Sequence, residues 1–287
     1  MLIQEAIKPL EQFLQDKGRS TETIRGYRMD LTMLDRFLTL EYNCPVYVED
    51  LTEDDIESYL RMLREEKGYK PASVNRHLNS IRAFCKLAYR KDWLENNPCK
   101  NIDQLRFQRE ERVFLNEQEL QTLLEAIEHP LVQIAARTMA FTGLRVKECT
   151  NLTLDDVDLK NDLIQVIAGK GNKNRVVPIN HQLKPLLVEY LQEQRPNVRT
   201  DQFFATKKTG ALSHQTINRV LQETTFKLGW EKKVTCHILR HSFASNLVSK
   251  NVNVTKISKL LGHADVRTTS IYLHTNTEDL KEAVNML

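Results

Sequence analysis

The chain has 287 residues, 33.4 kDa and a formal net charge of +3. Its apolar fraction of 41% and charged fraction of 28% fit a soluble globular protein. Nine Gly and eight Pro exclude a collagen-like or linker-dominated chain, and at roughly 100–200 residues per domain two domains are expected.

The N-terminal segment MLIQEAIKPLEQF carries acids where a signal peptide is basic and then apolar. No apolar run approaches the roughly 18 residues of a membrane span. A cytoplasmic protein is therefore expected. Residues 2–15 place Ile3, Ile7, Leu10, Phe13 and Leu14 at helical spacing. Ser20 or Thr21 can cap a second helix running to Leu40, with Ile24, Tyr27, Leu31, Leu34 and Leu38 on one side. Thr52 and Asp55 form a capping-box pattern ahead of a third helix, 56–63. Gly68 ends it, and Pro71 suits the first turn of a fourth.

The fourth helix stands out. From Lys70 to Lys91, ends included, there are six bases and no acid, although the first 105 residues hold 16 Lys/Arg against 18 Asp/Glu. Val74, Leu78, Ile81, Phe84 and Leu87 recur there at helical spacing. The pattern is an amphipathic helix with a basic polar side, suited to DNA phosphates or to solvent. Asn96-Asn97-Pro98 is expected to stop this helix. Residues 99–115 lack periodicity and read as an interdomain linker.

The second half opens with Asn116 and Glu119 capping a helix over 117–128, followed by one from Pro130 to Phe141. Short branched segments at 152–154, 163–167 and 175–179 read as a small antiparallel sheet. Gly169-Lys170-Gly171-Asn172 is the expected hairpin turn. Helices resume over 181–194, 213–228, 237–249, 254–261 and near the C-terminus. The five cysteines are odd in number and form no CxxC pair, against both a disulfide framework and a zinc ribbon.

Four clusters could carry chemistry. In Thr142-Gly143-Leu144-Arg145-Val-Lys-Glu148 an Arg follows a helix break, where its planar fork suits an anion. Glu148 could brace it, or the two could be a surface pair at i,i+3. Lys170 sits between two glycines on the hairpin tip and could reach DNA or donate a proton; a solubilising basic turn is the other reading. No GKS or GKT closes a P-loop there. His237 and Arg240 share a helix face, a proton carrier beside a permanent cation, as a phosphoryl site needs. His237 and His241 at i,i+4 could ligate zinc but lack the glutamate of HExxH, and a structural His pair is the plainer alternative. Finally, His263 follows Gly262 at a helix end, and Tyr272 lies nine residues on; a Tyr with apolar neighbours is usually core.

The order Arg, Lys, His-x-x-Arg, His, Tyr resembles the tyrosine recombinase (phage integrase) family. TGLRVKE, GKGNKNRVVPI, HILRHSFASNL and LLGHADVRTTSIYLH resemble its boxes, and the likeness spans about residues 1–275. It is strongest to compact Xer-like and transposon resolvase-type members. The resemblance implies a mainly α fold with a small antiparallel β-sheet. A helical, SAM-like core DNA-binding domain (1–98) and a linker (99–115) would precede the catalytic domain (116–287).

It further implies that Tyr272 is the nucleophile, that Arg145 and Arg240 clamp the phosphate, and that Lys170 protonates the leaving oxygen. His237 would act as acid or base, His263 would bind the phosphate, and Glu148 would orient Arg145. No cofactor or metal is called for. The partner would be double-stranded DNA with an inverted-repeat core site. It would be bound by a homotetramer, or a heterotetramer with a related recombinase, in which residues 277–286 form a helix passed between subunits. Asn75, Arg76, Asn79, Arg82 and Lys86 on the basic helix, and Gln215 and Arg219 on the 213–228 helix, are the candidates for contacting DNA. A DNA-binding regulator that no longer cuts and a type IB topoisomerase-like relaxing enzyme are the rival readings.

Overall fold

The computed structural model describes residues 1–107, 113–167 and 174–262. The chain divides into two compact units, residues 1–110 and 111–287. Each has its own buried apolar core.

The described residues of the first unit form four α-helices, α1 (Ile3–Asp16), α2 (Thr21–Tyr42), α3 (Glu53–Glu65) and α4 (Pro71–Arg90), with a short 3-10 turn at Val48–Asp50. Local chemistry sets their starts. Ser20 Oγ accepts from the Thr23 amide at 3.2 Å, and Thr52 and Asp55 form the expected capping box. Gly68, at φ +64°, provides the left-handed turn before α4. Helix α4 is the centre of the unit, with Val74, Leu78, Ile81, Phe84 and Leu87 all buried. The expectation that it runs to Asn96 is corrected. It ends at Arg90, and the chain turns at Asp92, which has φ +55°.

Much of the expected linker is part of this unit. Cys99 and Ile102 are buried in its core. One side of α4 holds residues 99–105, which form a strap along it. Asn75 Nδ2 donates to the Leu105 carbonyl and Asn75 Oδ1 accepts from the Leu105 amide, both at 2.9 Å. Gln104 Nε2 donates to Asn79 Oδ1 at 2.9 Å, and Arg82 Nη2 donates to the Ile102 carbonyl.

The second unit begins at the other end of the expected linker. Leu115 is fully buried; its amide donates to Ser242 Oγ at 2.8 Å and its carbonyl accepts from Asn246 at 3.2 Å. Helices α5 (Glu117–Ala126), α6 (Pro130–Thr142) and the short α7 (Val146–Thr150) follow. The sheet is antiparallel in the order β1 (Val157–Asp158), β2 (Leu163–Val166), β3 (Arg175–Pro178). Residues 152–154 are not one of its strands: Thr153 makes an isolated bridge to Gln202. The turn at 169–172 lies outside the described residues.

Helix α8 (Leu183–Glu189) ends in a wide π turn, Tyr190–Gln194, where one regular helix was expected. Tyr190 explains the change. Its ring is buried, and its hydroxyl donates to the Phe203 carbonyl and accepts from the Ala205 amide. Helices α9 (His214–Lys227), α10 (Cys236–Ser249) and α11 (Val254–Leu261) complete the described unit. The expected C-terminal helix lies outside the described residues. Among the described residues no helix is long and apolar enough to cross a membrane.

The Asn75 contact to Leu105 carries a prediction. Asn75→Ala strands both Leu105 backbone groups, so the first unit should lose about 1–3 kcal/mol in urea unfolding. Hydrogen exchange at the Leu105 amide should accelerate. Unchanged exchange there would contradict the strap's dependence on Asn75.

Candidate active site

The site is built where four chain segments end or begin. Helix α6 stops at Gly143 in the left-handed conformation, φ +67°. A Cβ there would lie 2.5 Å from Cδ1 of Phe243, so both the turn and the packing require glycine. Two residues later Arg145 caps α7. Its amide donates to Glu148 Oε2 and its Nη1 to Glu148 Oε1, each at 2.8 Å. Arg145 and Glu148 thus form the ion pair that their i,i+3 spacing allows.

The same carboxylate takes a second guanidinium. Arg175, the first residue of β3, makes a fork-on-fork pair with Glu148: Nη1 to Oε1 at 2.9 Å and Nη2 to Oε2 at 2.7 Å. Its Nε donates to the Leu260 carbonyl at 2.7 Å. A third guanidinium comes from α10. Arg240 donates from Nη1 to the Gly143 carbonyl at 2.6 Å and from Nη2 to the Leu261 carbonyl at 2.7 Å. Its Nη1 lies 3.8 Å from Glu148 Oε2. Gly262 closes α11 at φ +64°, and a Cβ on it would meet Arg175 Cδ at 2.9 Å.

Burial separates the three cations. The side chains of Arg175 and Arg240 are each 8% exposed, whereas Arg145 is 35% exposed. Burial alone would push the Glu148 carboxyl up. The hydrogen bonds from Arg175 and from the Arg145 amide outweigh it and hold its pKa down to about 2. One carboxylate among three guanidiniums leaves a local excess of positive charge, an arrangement that suits a phosphate.

The structure thus brings together Arg145, Glu148 and Arg240. His237 is exposed in the first turn of α10, three residues before Arg240. Asn218 Oδ1 fixes that helix start by accepting from the Cys236 amide at 2.9 Å. Lys170, His263 and Tyr272 lie outside the described residues. Arg175, which is not among the expected site residues, joins this cluster through Glu148. Its signal was a base opening an otherwise branched strand.

The DNA-contact candidates fall into two groups. Asn75 is buried with its amide engaged by Leu105, and Arg82 is engaged by the Ile102 carbonyl. Asn75 is therefore corrected from a DNA-contact candidate to an anchor of residues 99–105. Arg76, Asn79 and Lys86 lie on the exposed stripe of α4. Gln215 and Arg219 are exposed one turn apart on α9, where Arg219 pairs with Glu223 at 2.8 Å.

The depressed Glu148 pKa gives a signed pH prediction. A carboxylate whose folded pKa lies near 2, against an ordinary 4.5, adds stability above about pH 4.5 that fades as pH falls toward 2. Its size is roughly 3 kcal/mol. Glu148→Gln should be less stable than wild type at pH 6, with the gap narrowing between pH 5 and pH 2. A gap that does not change with pH would contradict the assignment.

Comparison with known proteins identifies the family of the chain. Residues 113–279 match the phage integrase family, and residues 7–92 match the phage integrase N-terminal SAM-like domain. The chain is 30% identical to tyrosine recombinase XerD of Oceanobacillus iheyensis, over 98% of this chain and 97% of the relative. It is 31% identical to XerD of Proteus mirabilis, over 95% and 90%. Among solved structures, XerA recombinase aligns over 99% of this chain and 98% of its own at 29% identity and TM-score 0.55. A lambda integrase dimer bound to a COC' core site aligns over 95% of each chain at TM-score 0.79 and 19% identity, a likeness of fold. XerH bound to a palindromic difH substrate aligns over 98% of this chain and 84% of its own at TM-score 0.74 and 23% identity, again a likeness of fold. The chain belongs to the phage integrase family, the tyrosine-type site-specific recombinases.

Proposed function

We propose that this chain cuts and rejoins DNA through Tyr272. The phenolate attacks a phosphodiester, a 3′-phosphotyrosine forms, and the 5′-hydroxyl leaves. The covalent link conserves the bond energy, so rejoining needs no ATP. A partner strand's 5′-hydroxyl then attacks the phosphotyrosine, and two rounds of exchange pass through a Holliday junction.

The observation that carries the reading is the convergence of Arg145 and Arg240 on one carboxylate that is only 11% exposed. Both guanidiniums are fixed before substrate arrives, so they can stabilise charge on the nonbridging oxygens without reorganising. Buried, hydrogen-bonded Tyr190 is held as a structural residue, leaving Tyr272 as the second half's candidate nucleophile. A free tyrosine has a pKa near 10. Cations around the phosphate favour its phenolate. Lys170 protonates the leaving oxygen, His237 exchanges a proton with the tyrosine, and His263 hydrogen-bonds the phosphate. Glu148 and Arg175 hold Arg145.

The substrate is a duplex with an inverted-repeat core site, in keeping with the palindromic DNA bound by the XerH relative. Two duplexes cut at two positions each require four protomers, alike or shared with a related recombinase. Residues 277–286 would link neighbouring subunits. Arg76, Asn79 and Lys86 on α4, with Gln215 and Arg219 on α9, face the DNA, and the protein works in the cytoplasm. Resolution, integration and excision of DNA elements share this chemistry.

A nicked suicide duplex tests the assignment on denaturing gels. Wild type should give a covalent band and Tyr272→Phe none. Lys170→Ala should cleave normal DNA slowly yet recover on a 5′-thiol leaving group, which needs little protonation. A band with Tyr272→Phe would remove the nucleophile, and no thiol rescue would remove Lys170 as the acid. Tight binding without any band would favour the regulator that no longer cuts.

A further inference from the structure

The polar interior of the first unit has no part in the chemistry above. Asp30, on α2, is 1% exposed. Its carboxylate accepts from Arg76 Nη1 at 2.5 and 2.6 Å and from Ser80 Oγ at 2.6 Å, both residues of α4. His77 is fully buried beside them. Its Nε2 lies 3.0 Å from Arg76 Nη2 and its Nδ1 3.0 Å from the Tyr59 hydroxyl. Tyr59 in turn donates to the Asp30 carbonyl at 3.4 Å.

These contacts assign the protons. A guanidinium can only donate, so His77 Nε2 accepts from Arg76. His77 is then the neutral Nδ1–H tautomer, donating to Tyr59, as assigned from its partners. Burial agrees, since it pushes the His77 pKa down and outweighs the opposing pull of Asp30.

This buried chain ends on one group that is outside. The Arg76 side chain is 54% exposed. Its Nη1 and one Nη2–H are held from within. His77 Nε2 lies 3.5 Å from Asp30 Oδ1, so both acceptors sit along the Nη1–Nη2 edge of the guanidinium. The Nε–H and the other Nη2–H remain, a parallel pair of donors on the opposite edge, and no described residue accepts from Nε. Two parallel donors match O6 and N7 of a guanine in the major groove. Holding the side chain beforehand removes the cost of ordering it on binding.

We infer that Asp30, with Ser80 and His77, is a positioning residue that locks Arg76 to read a guanine in the recognition site. The inference rests on the reading that α4 faces DNA.

The test first selects the recognition sequence from a randomised duplex pool with the full-length wild-type chain. Dissociation constants are then measured for that duplex and for duplexes changed at single G·C pairs, at several salt concentrations. Arg76→Ala should lose discrimination on the order of 10- to 100-fold at one G·C pair. Asp30→Asn should lose discrimination at the same pair and keep the wild-type salt slope, because Arg76 keeps its charge. Ser80→Ala, which removes one hydroxyl, should lose part of it; it decides alone if Asp30→Asn does not fold. Preserved discrimination in Ser80→Ala and Asp30→Asn would overturn the positioning role. Uniform weakening by Arg76→Ala on every duplex, with the salt slope lowered by about one, would make Arg76 a phosphate contact instead. A wild type that selects no sequence would count against the recombinase reading itself, a separate failure.

Discussion

The Glu148 carboxylate is the interaction on which the catalytic unit depends. Three guanidiniums so close together repel one another, and a buried anion is what allows them to coexist. Glu148 receives Arg145 from its own helix and Arg175 from the sheet, and lies within 3.8 Å of Arg240. Arg240 and Arg175 also take the carbonyls of Leu261 and Leu260. The end of α11 is thereby tied to the cluster immediately before His263. One acid therefore sets the positions of helix ends that are more than a hundred residues apart in the chain.

The division of labour follows from burial. Arg175 lies deep and turns its donors to the Glu148 carboxylate and the Leu260 carbonyl, whereas Arg240, equally deep, is anchored by the Gly143 and Leu261 carbonyls beside Glu148. Arg145 is held by the same carboxylate and stays accessible. A phosphate arriving there meets a cation that is already oriented, in a site whose charge is positive on balance. The first unit uses a similar device on another scale, with a buried Asp30 beneath the exposed Arg76. In both units a carboxylate removed from water orders an arginine at the surface.

The helices were legible because their ends are written locally. Thr52 with Asp55, and Asn116 with Glu119, give their starts as capping boxes, and Gly143 and Gly262 mark stops. Tertiary contacts decided the rest. Residues 99–105 have no periodicity, yet Cys99 and Ile102 are drawn into the core and Asn75 and Arg82 hold the backbone. Helical spacing places Asn75 and Arg82 on the polar side of α4 but does not say that a strap covers that side. The wide turn after α8 likewise depends on a distant partner, the Phe203 carbonyl.

The site was legible to the extent that its residues are close in the chain. Arg145 and Glu148 are three apart. Arg240 and His237 are also three apart, and the order of the boxes supplied the remainder. Arg175 was not visible because its partner lies 27 positions away and its own segment reads as an ordinary strand. Arg145 is therefore held in place only if Arg175 and Glu148 act as one unit. The most direct measurement is a double-mutant cycle on the cleavage rate constant, using wild type, Glu148→Gln, Arg175→Ala and the double variant. Strong non-additivity is expected, with the double variant little worse than the poorer single one. Independent, additive losses would contradict it.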